Sequence, residues 1–193
     1  MSKISVIDLE EQLALRINQE LSKQLDDVII KMQQIAQEFA IKQVKERSPL
    51  KNVLTTATDP MSSIEVIKNY IRYQVGRKDA SKIWKLEKIE NGKKEIFANA
   101  VITQINDLTA NIENIFNAIN SSLDKELKPF LEKDQDNQDS INPNLNHNQL
   151  EKLELLKEYL HNNKSHIRQN IHLKLTQLYL GYLSREHTAL IGS

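Results

Sequence analysis

Apolar positions recur at steps of three and four along most of this chain, and that spacing predicts helices. Leu9, Leu13, Ile17, Leu21, Leu25, Val28, Met32, Ile35 and Phe39 form the first series, with no glycine or proline between them. It predicts a long helix ending near Lys45 to Ser48, because Pro49 disfavours helical backbone at Ser48. The flanks of this stripe are Gln, Lys and Glu, so the helix buries a single seam, against its own domain or against a partner helix. Residues 48–61 (SPLKNVLTTATDPM) read as a connector.

Ser62 then reads as a helix N-cap, with Glu65 as the third residue of a capping box. Ile64, Ile67, Ile71 and Val75 supply the buried face of a short helix, which Gly76 can end in a left-handed C-cap. Residues 80–90 suggest a further helix or helical turn, and Asn91-Gly92 is a turn signal. Phe97, Val101, Ile105, Leu108, Ile112, Ile115 and Ile119 predict a strong helix, with a break near Pro129. Residues 132–149 carry almost no apolar side chains and read as a flexible polar loop, since such a composition does not repay the entropy of ordering. The last helical region starts near Asn148 and is divided at Asn162-Asn163. Its second half is apolar around most of its girth, which points to burial, and Gly181 would permit a close helix–helix approach.

The expected fold is therefore all-α: one domain over 1–193, a bundle of about five helices with a long N-terminal helix and a polar loop before the C-terminal helices. Composition agrees. Glycine and proline number four each, too few for a turn-rich β architecture. Cysteine is absent, which removes disulfides, thiolate metal sites and a cysteine nucleophile. The first residues do not read as a secretory signal and no apolar run is long enough for a membrane span. The expectation is a soluble, cytoplasmic protein without membrane partners.

Formal net charge is zero, so any attraction to nucleic acid must come from a local patch. Ser62 to Lys85 holds one. Lys68, Arg72, Arg77, Lys78, Lys82 and Lys85 stand there against only Glu65 and Asp79, interleaved with Tyr70, Tyr73 and Trp84. Cations hold phosphates and aromatic rings stack on bases, so this mixture suits a nucleic-acid backbone. Tyr73, between Lys68, Arg72 and Arg77, is the candidate stacking ring. The plainer alternative is a solvated cationic face with tyrosines at the core edge. Trp84, the single tryptophan, reads more readily as a core anchor than as a stacking platform. Arg168, Lys174 and Arg185 are candidates to extend the basic surface.

Catalytic signals are missing: no phosphate-binding loop, no dinucleotide fingerprint and no nucleophile elbow. Glu158-Tyr-Leu-His161 matches the Glu-x-x-His pair of helical di-iron proteins, but the second pair that such sites require is absent. The expectation is a protein that is not an enzyme and needs neither cofactor nor metal.

The run VIKNYIRYQVGRKDASKIW, from Val66 to Trp84, resembles the central helix of the small helical subunits of type III CRISPR effector complexes. The matching element is Tyr73-Gln-Val-Gly76-Arg77, a helix that ends in aromatic-x-x-Gly-Arg, and the aromatic-rich Leu178-Tyr-Leu-Gly-Tyr-Leu183 is comparable with the family's last helix. The chain differs in an extra N-terminal helix and in the polar insert at 132–149. The resemblance implies a non-catalytic helical bundle that stacks along a ribonucleoprotein complex, among other subunits, and presents basic residues to crRNA and target strand. It points to Arg72 and Arg77, supported by Lys68 and Lys78. Two functions thus stand at this stage. One is an RNA-binding subunit of an antiviral effector complex, using Lys68, Arg72, Tyr73, Arg77, Lys78, Lys82 and Lys85. The other is a helical assembly scaffold without nucleic acid, pairing through the seam from Leu9 to Phe39.

Overall fold

A computed structural model describes residues 6–46, 49–90, 92–132 and 143–192. Six α-helices dominate: α1 (Val6–Glu38), α2 (Lys51–Thr58), α3 (Ile64–Gly76), α4 (Phe97–Glu132), α5 (Pro143–Asn162) and α6 (Lys164–Gly192). Short 3-10 turns stand at Ile41–Gln43 and Lys82–Lys85, and β1 (Glu87–Glu90) and β2 (Lys93–Ile96) form an antiparallel hairpin. The fold is all-α apart from that hairpin. No helix among the described residues is long and apolar enough to cross a membrane.

The chain divides into two compact units, each assembled from separate stretches of sequence. The first draws on Met1–Lys23 and Ile112–Gln169, the second on Gln24–Asn111 and Asn170–Ser193. The long helices α1, α4 and α6 each contribute residues to both.

In the first unit Leu13 and Leu21 of α1, Ile115, Ile119 and Leu123 of α4, and Leu156 and Leu160 of α5 are buried. Leu13, Leu21, Ile115 and Ile119 belong to the apolar series that predicted α1 and α4. Around that core, Arg16 grips Glu126 with two hydrogen bonds of 2.6 and 2.7 Å. The same carboxylate accepts from the Ser122 hydroxyl at 3.0 Å. Glu126 is held below the ordinary carboxylate range, chiefly by the Arg16 hydrogen bond.

In the second unit the core gathers around aromatic rings. Phe97 lies 5.6 Å from Phe39, edge to face, and 5.9 Å from Trp84. Trp84 is buried, as a core anchor should be. The seam of α1 is spent internally here: Val28, Met32, Ile35 and Phe39 are all buried. It does not await a partner helix.

Several boundaries differ from the sequence expectation, each for a local reason. Helix α1 stops at Glu38 rather than near Lys45, because Ala40 takes the left-handed conformation (φ 47°, ψ 46°) and turns the chain. The expected connector at 48–61 contains α2. Its three threonines are poor helix formers, yet Val53 and Ala57, one turn apart, are fully buried. The Thr55, Thr56 and Thr58 hydroxyls donate back to the carbonyls of Lys51, Asn52 and Leu54. The Gln177 side chain of α6 adds a 2.8 Å hydrogen bond to the Ala57 carbonyl.

Ser63, not Ser62, caps α3, and its Oγ accepts from the Val66 N–H at 3.3 Å. Gly76 is the last helical residue and has no positive φ. The chain leaves through an extended Arg77 instead. Residues 80–90 fold into the 3-10 turn and β1 rather than a helix. Cross-strand ion pairs Lys94–Glu87 (2.7 Å) and Lys88–Glu95 (3.4 Å) support the hairpin, and Gly92 (φ 72°) takes the left-handed position of its turn. Pro129 does not break α4. It sits on the exposed side of the last turn, where water can meet the carbonyl that its missing N–H abandons. Helix α5 begins at Pro143, earlier than Asn148, with proline in the first-turn position it tolerates. The rest of the expected polar loop, residues 133–142, lies outside the described residues. The division at Asn162-Asn163 is where α5 ends and α6 begins.

Candidate nucleic-acid interface

The basic segment lies wholly in the second unit, on α3, the loop after it and the 3-10 turn. Ile67, Ile71 and Gln74 turn the inner face of α3 into the core. That orientation leaves Arg72 and Tyr73 on the outside, with Tyr73 55% exposed. In the 3-10 turn, Ile83 and Trp84 are buried and therefore hold Lys82 and Lys85 outward. Residues three apart in a 3-10 helix eclipse one another, so those two lysines project from one side.

The six cations do not share one state. Arg72, Lys78, Lys82 and Lys85 are exposed, and none forms a side-chain ion pair among the described residues. Lys68 is different. Its ammonium lies 2.5 Å from Glu65 and 3.2 Å from the Asn106 side-chain oxygen on α4, with 13% of the side chain accessible. Lys68 thus ties α3 to α4. Glu65 is held below the ordinary carboxylate range, first by the Lys68 hydrogen bond.

Arg77 is also engaged. Its guanidinium meets the Asp79 carboxylate through two bonds, Nε to Oδ1 at 3.0 Å and Nη2 to Oδ2 at 2.5 Å. The same guanidinium stands 5.7 Å from the centre of the Tyr73 ring, and Tyr70 lies 6.0 Å from Tyr73 on a tilted plane. Asp79 is held low by the Arg77 hydrogen bond, and Arg77 is raised by Asp79 in return. The carboxylates Glu65 and Asp79 were present in the sequence, but their pairing was not anticipated; the three-residue step from Glu65 to Lys68 was the available signal.

His172 of α6 stands beside this region. Its Nε2 lies 2.7 Å from the Ile105 carbonyl, and burial pushes the imidazole below its ordinary pKa. Of the cations proposed to extend the surface, Arg185 is exposed and lies over the Tyr182 ring at 5.4 Å. Lys174 is exposed as well. Arg168 belongs to the first unit, where it pairs with Glu113 and covers the Phe116 ring at 5.0 Å. Gly181 makes no close approach: a Cβ built there would meet nothing within 4 Å.

The Glu158–His161 pair lines an open groove of about 610 Å³ in the first unit, with Asn117, Asn120, Lys157 and Lys164. Among the described residues no three His, Asp or Glu side chains converge as a metal site would.

Comparison with protein-family models, curated proteins and solved structures found no match to this chain.

Proposed function

We propose that this protein is a non-catalytic RNA-binding subunit of a ribonucleoprotein effector complex of the type III CRISPR kind. It holds the phosphate backbone of crRNA and target strand through Arg72, Arg77, Lys78, Lys82 and Lys85, while Tyr73 stacks on a base. Lys68 supports α3 from behind. The observation that carries this reading is the outward set Arg72, Lys78, Lys82 and Lys85, free of ion pairs among the described residues, beside an exposed tyrosine. Unpaired cations release counterions from phosphate without first breaking a protein contact. The contacts are to the backbone, so binding is sequence-independent and falls steeply with salt. The cytoplasm is the compartment such a complex requires.

The test is RNA affinity of the Arg72→Ala/Arg77→Ala variant. Weaker binding with a flatter salt dependence is expected, and unchanged affinity in a folded variant would remove the patch from consideration.

A second reading keeps the protein as an assembly scaffold. Its specific support is a different surface from the seam of α1. Val66, Tyr70 and Tyr73 follow one another at helical spacing on the outer side of α3, with Val66 46% and Met61 89% exposed. A protein partner seated there would be displaced by Val66→Glu, which leaves the phosphate-binding cations in place.

A further inference from the structure

We infer that Asp79 is a built-in competitor for the phosphate-binding fork of Arg77, so that it sets how readily this site takes an RNA strand. The inference rests on the RNA-binding reading above. A guanidinium presents two parallel N–H donors, and a carboxylate or a phosphate accepts them in the same bidentate way. In this protein the Asp79 carboxylate takes both, at 3.0 and 2.5 Å. The acid therefore stands where a backbone phosphate would stand.

The arrangement is local by construction. Arg77 follows the last residue of α3, Asp79 is two residues on, and Arg77 leaves the helix in extended conformation. The Asp79 side chain is 74% exposed, against 31% for the Arg77 side chain. The acid can swing into water while the arginine keeps its seat against Tyr73. An exposed ion pair of this kind is weak, so a phosphate can displace it. It is still a cost that Arg72, Lys78, Lys82 and Lys85 do not impose, because none of them has such a partner among the described residues. Binding of the strand through those four cations brings a phosphate close to Arg77, and exchange of carboxylate for phosphate follows.

Asp79→Asn is the direct test. It keeps size and shape, and removes the charge that holds the fork. Affinity for a single-stranded oligoribonucleotide of mixed sequence is measured by fluorescence anisotropy from about 50 to 200 mM salt. Wild type should bind, and Asp79→Asn should bind about two- to fivefold more tightly, the range that an exposed pair commands. Its salt slope should steepen by up to about 0.7, the increment for one single-strand phosphate contact. In an Arg77→Ala background, Asp79→Asn should add no more than the general effect of one removed negative charge, with no change of slope. Binding by wild type that Asp79→Asn leaves unchanged or weakens overturns the competitor while the RNA-binding reading stands. Absence of binding by both proteins overturns the RNA-binding reading itself.

Discussion

Lys68 on α3 donates to the Asn106 side chain on α4 across 3.2 Å, and this contact separates structure from recognition within one basic segment. A cation that is largely covered and bridges two helices is part of the frame. Lys68→Ala should lower stability by about 1.5 kcal/mol, the low end of what a hydrogen bond to a charged group contributes. Arg72→Ala, at an exposed site with no ion pair among the described residues, should leave stability within about 0.5 kcal/mol of wild type. Chemical denaturation of both variants checks the contrast.

Gly181 lies inside α6 with open space where its side chain would be. Alanine there adds helix propensity and takes conformational freedom from the unfolded chain, without a clash. Gly181→Ala should therefore stabilise by about 0.5–1 kcal/mol and raise the melting temperature. A loss of stability would mean that the glycine is needed for a close approach after all.

Ala40 poses the inverse case. Its left-handed backbone costs an L-residue about 1 kcal/mol or more, which glycine does not incur. Ala40→Gly should raise stability by a few tenths to about 1 kcal/mol once the extra freedom of unfolded glycine is subtracted. Differential scanning calorimetry gives the sign.

Tyr179 is fully buried and its hydroxyl has no hydrogen-bond partner among the described residues. Burial pushes the phenol far above its ordinary pKa. Removing an unpaired buried hydroxyl removes its desolvation cost, so Tyr179→Phe should be neutral or stabilising by up to about 1 kcal/mol. Destabilisation beyond that would place a hydrogen-bond partner at the hydroxyl.

His172 makes stability depend on pH. Burial lowers its folded pKa, and nearby Lys68 lowers it further, while the bond to the Ile105 carbonyl and the charge of Glu65 oppose the shift. The unfolded chain then binds the proton more readily than the folded one below the ordinary value of 6.5. The contribution is whole above that pH and declines as pH falls through the lowered folded pKa. His172→Gln should flatten this part of the stability profile, measured by urea denaturation at a series of pH values.

Helical period made most of the fold legible. Leu9, Leu13, Leu21, Val28, Met32 and Ile35 of α1 and the whole series from Phe97 to Ile119 of α4 are buried as the period predicts, while Ile17 and Leu25 are only half-buried and Ala98, Ala100, Ile102 and Phe116 are buried off the stripe. The Asn162-Asn163 division falls where it was expected. Helix α2 was hidden because its threonines argue against helix, and its stability comes from burial of Val53 and Ala57, a tertiary effect. The hairpin was hidden because each strand is only four residues long and heavily charged, which looks like a solvated helix face. Within the site, sequence located the cations and the tyrosine. It did not reveal that Lys68 and Arg77 already hold Glu65 and Asp79, since a partner depends on where a helix ends and how its neighbours pack.

The most direct measurement of the central claim is purification of the tagged full chain from its native cell at low salt, with sequencing of the RNA and identification of the proteins that accompany it. Short RNAs of repeat–spacer type are expected together with larger subunits, both lost at high salt or in the Arg72→Ala/Arg77→Ala variant. Recovery of protein partners without RNA would contradict that claim and leave the basic segment an ordinary solvated face.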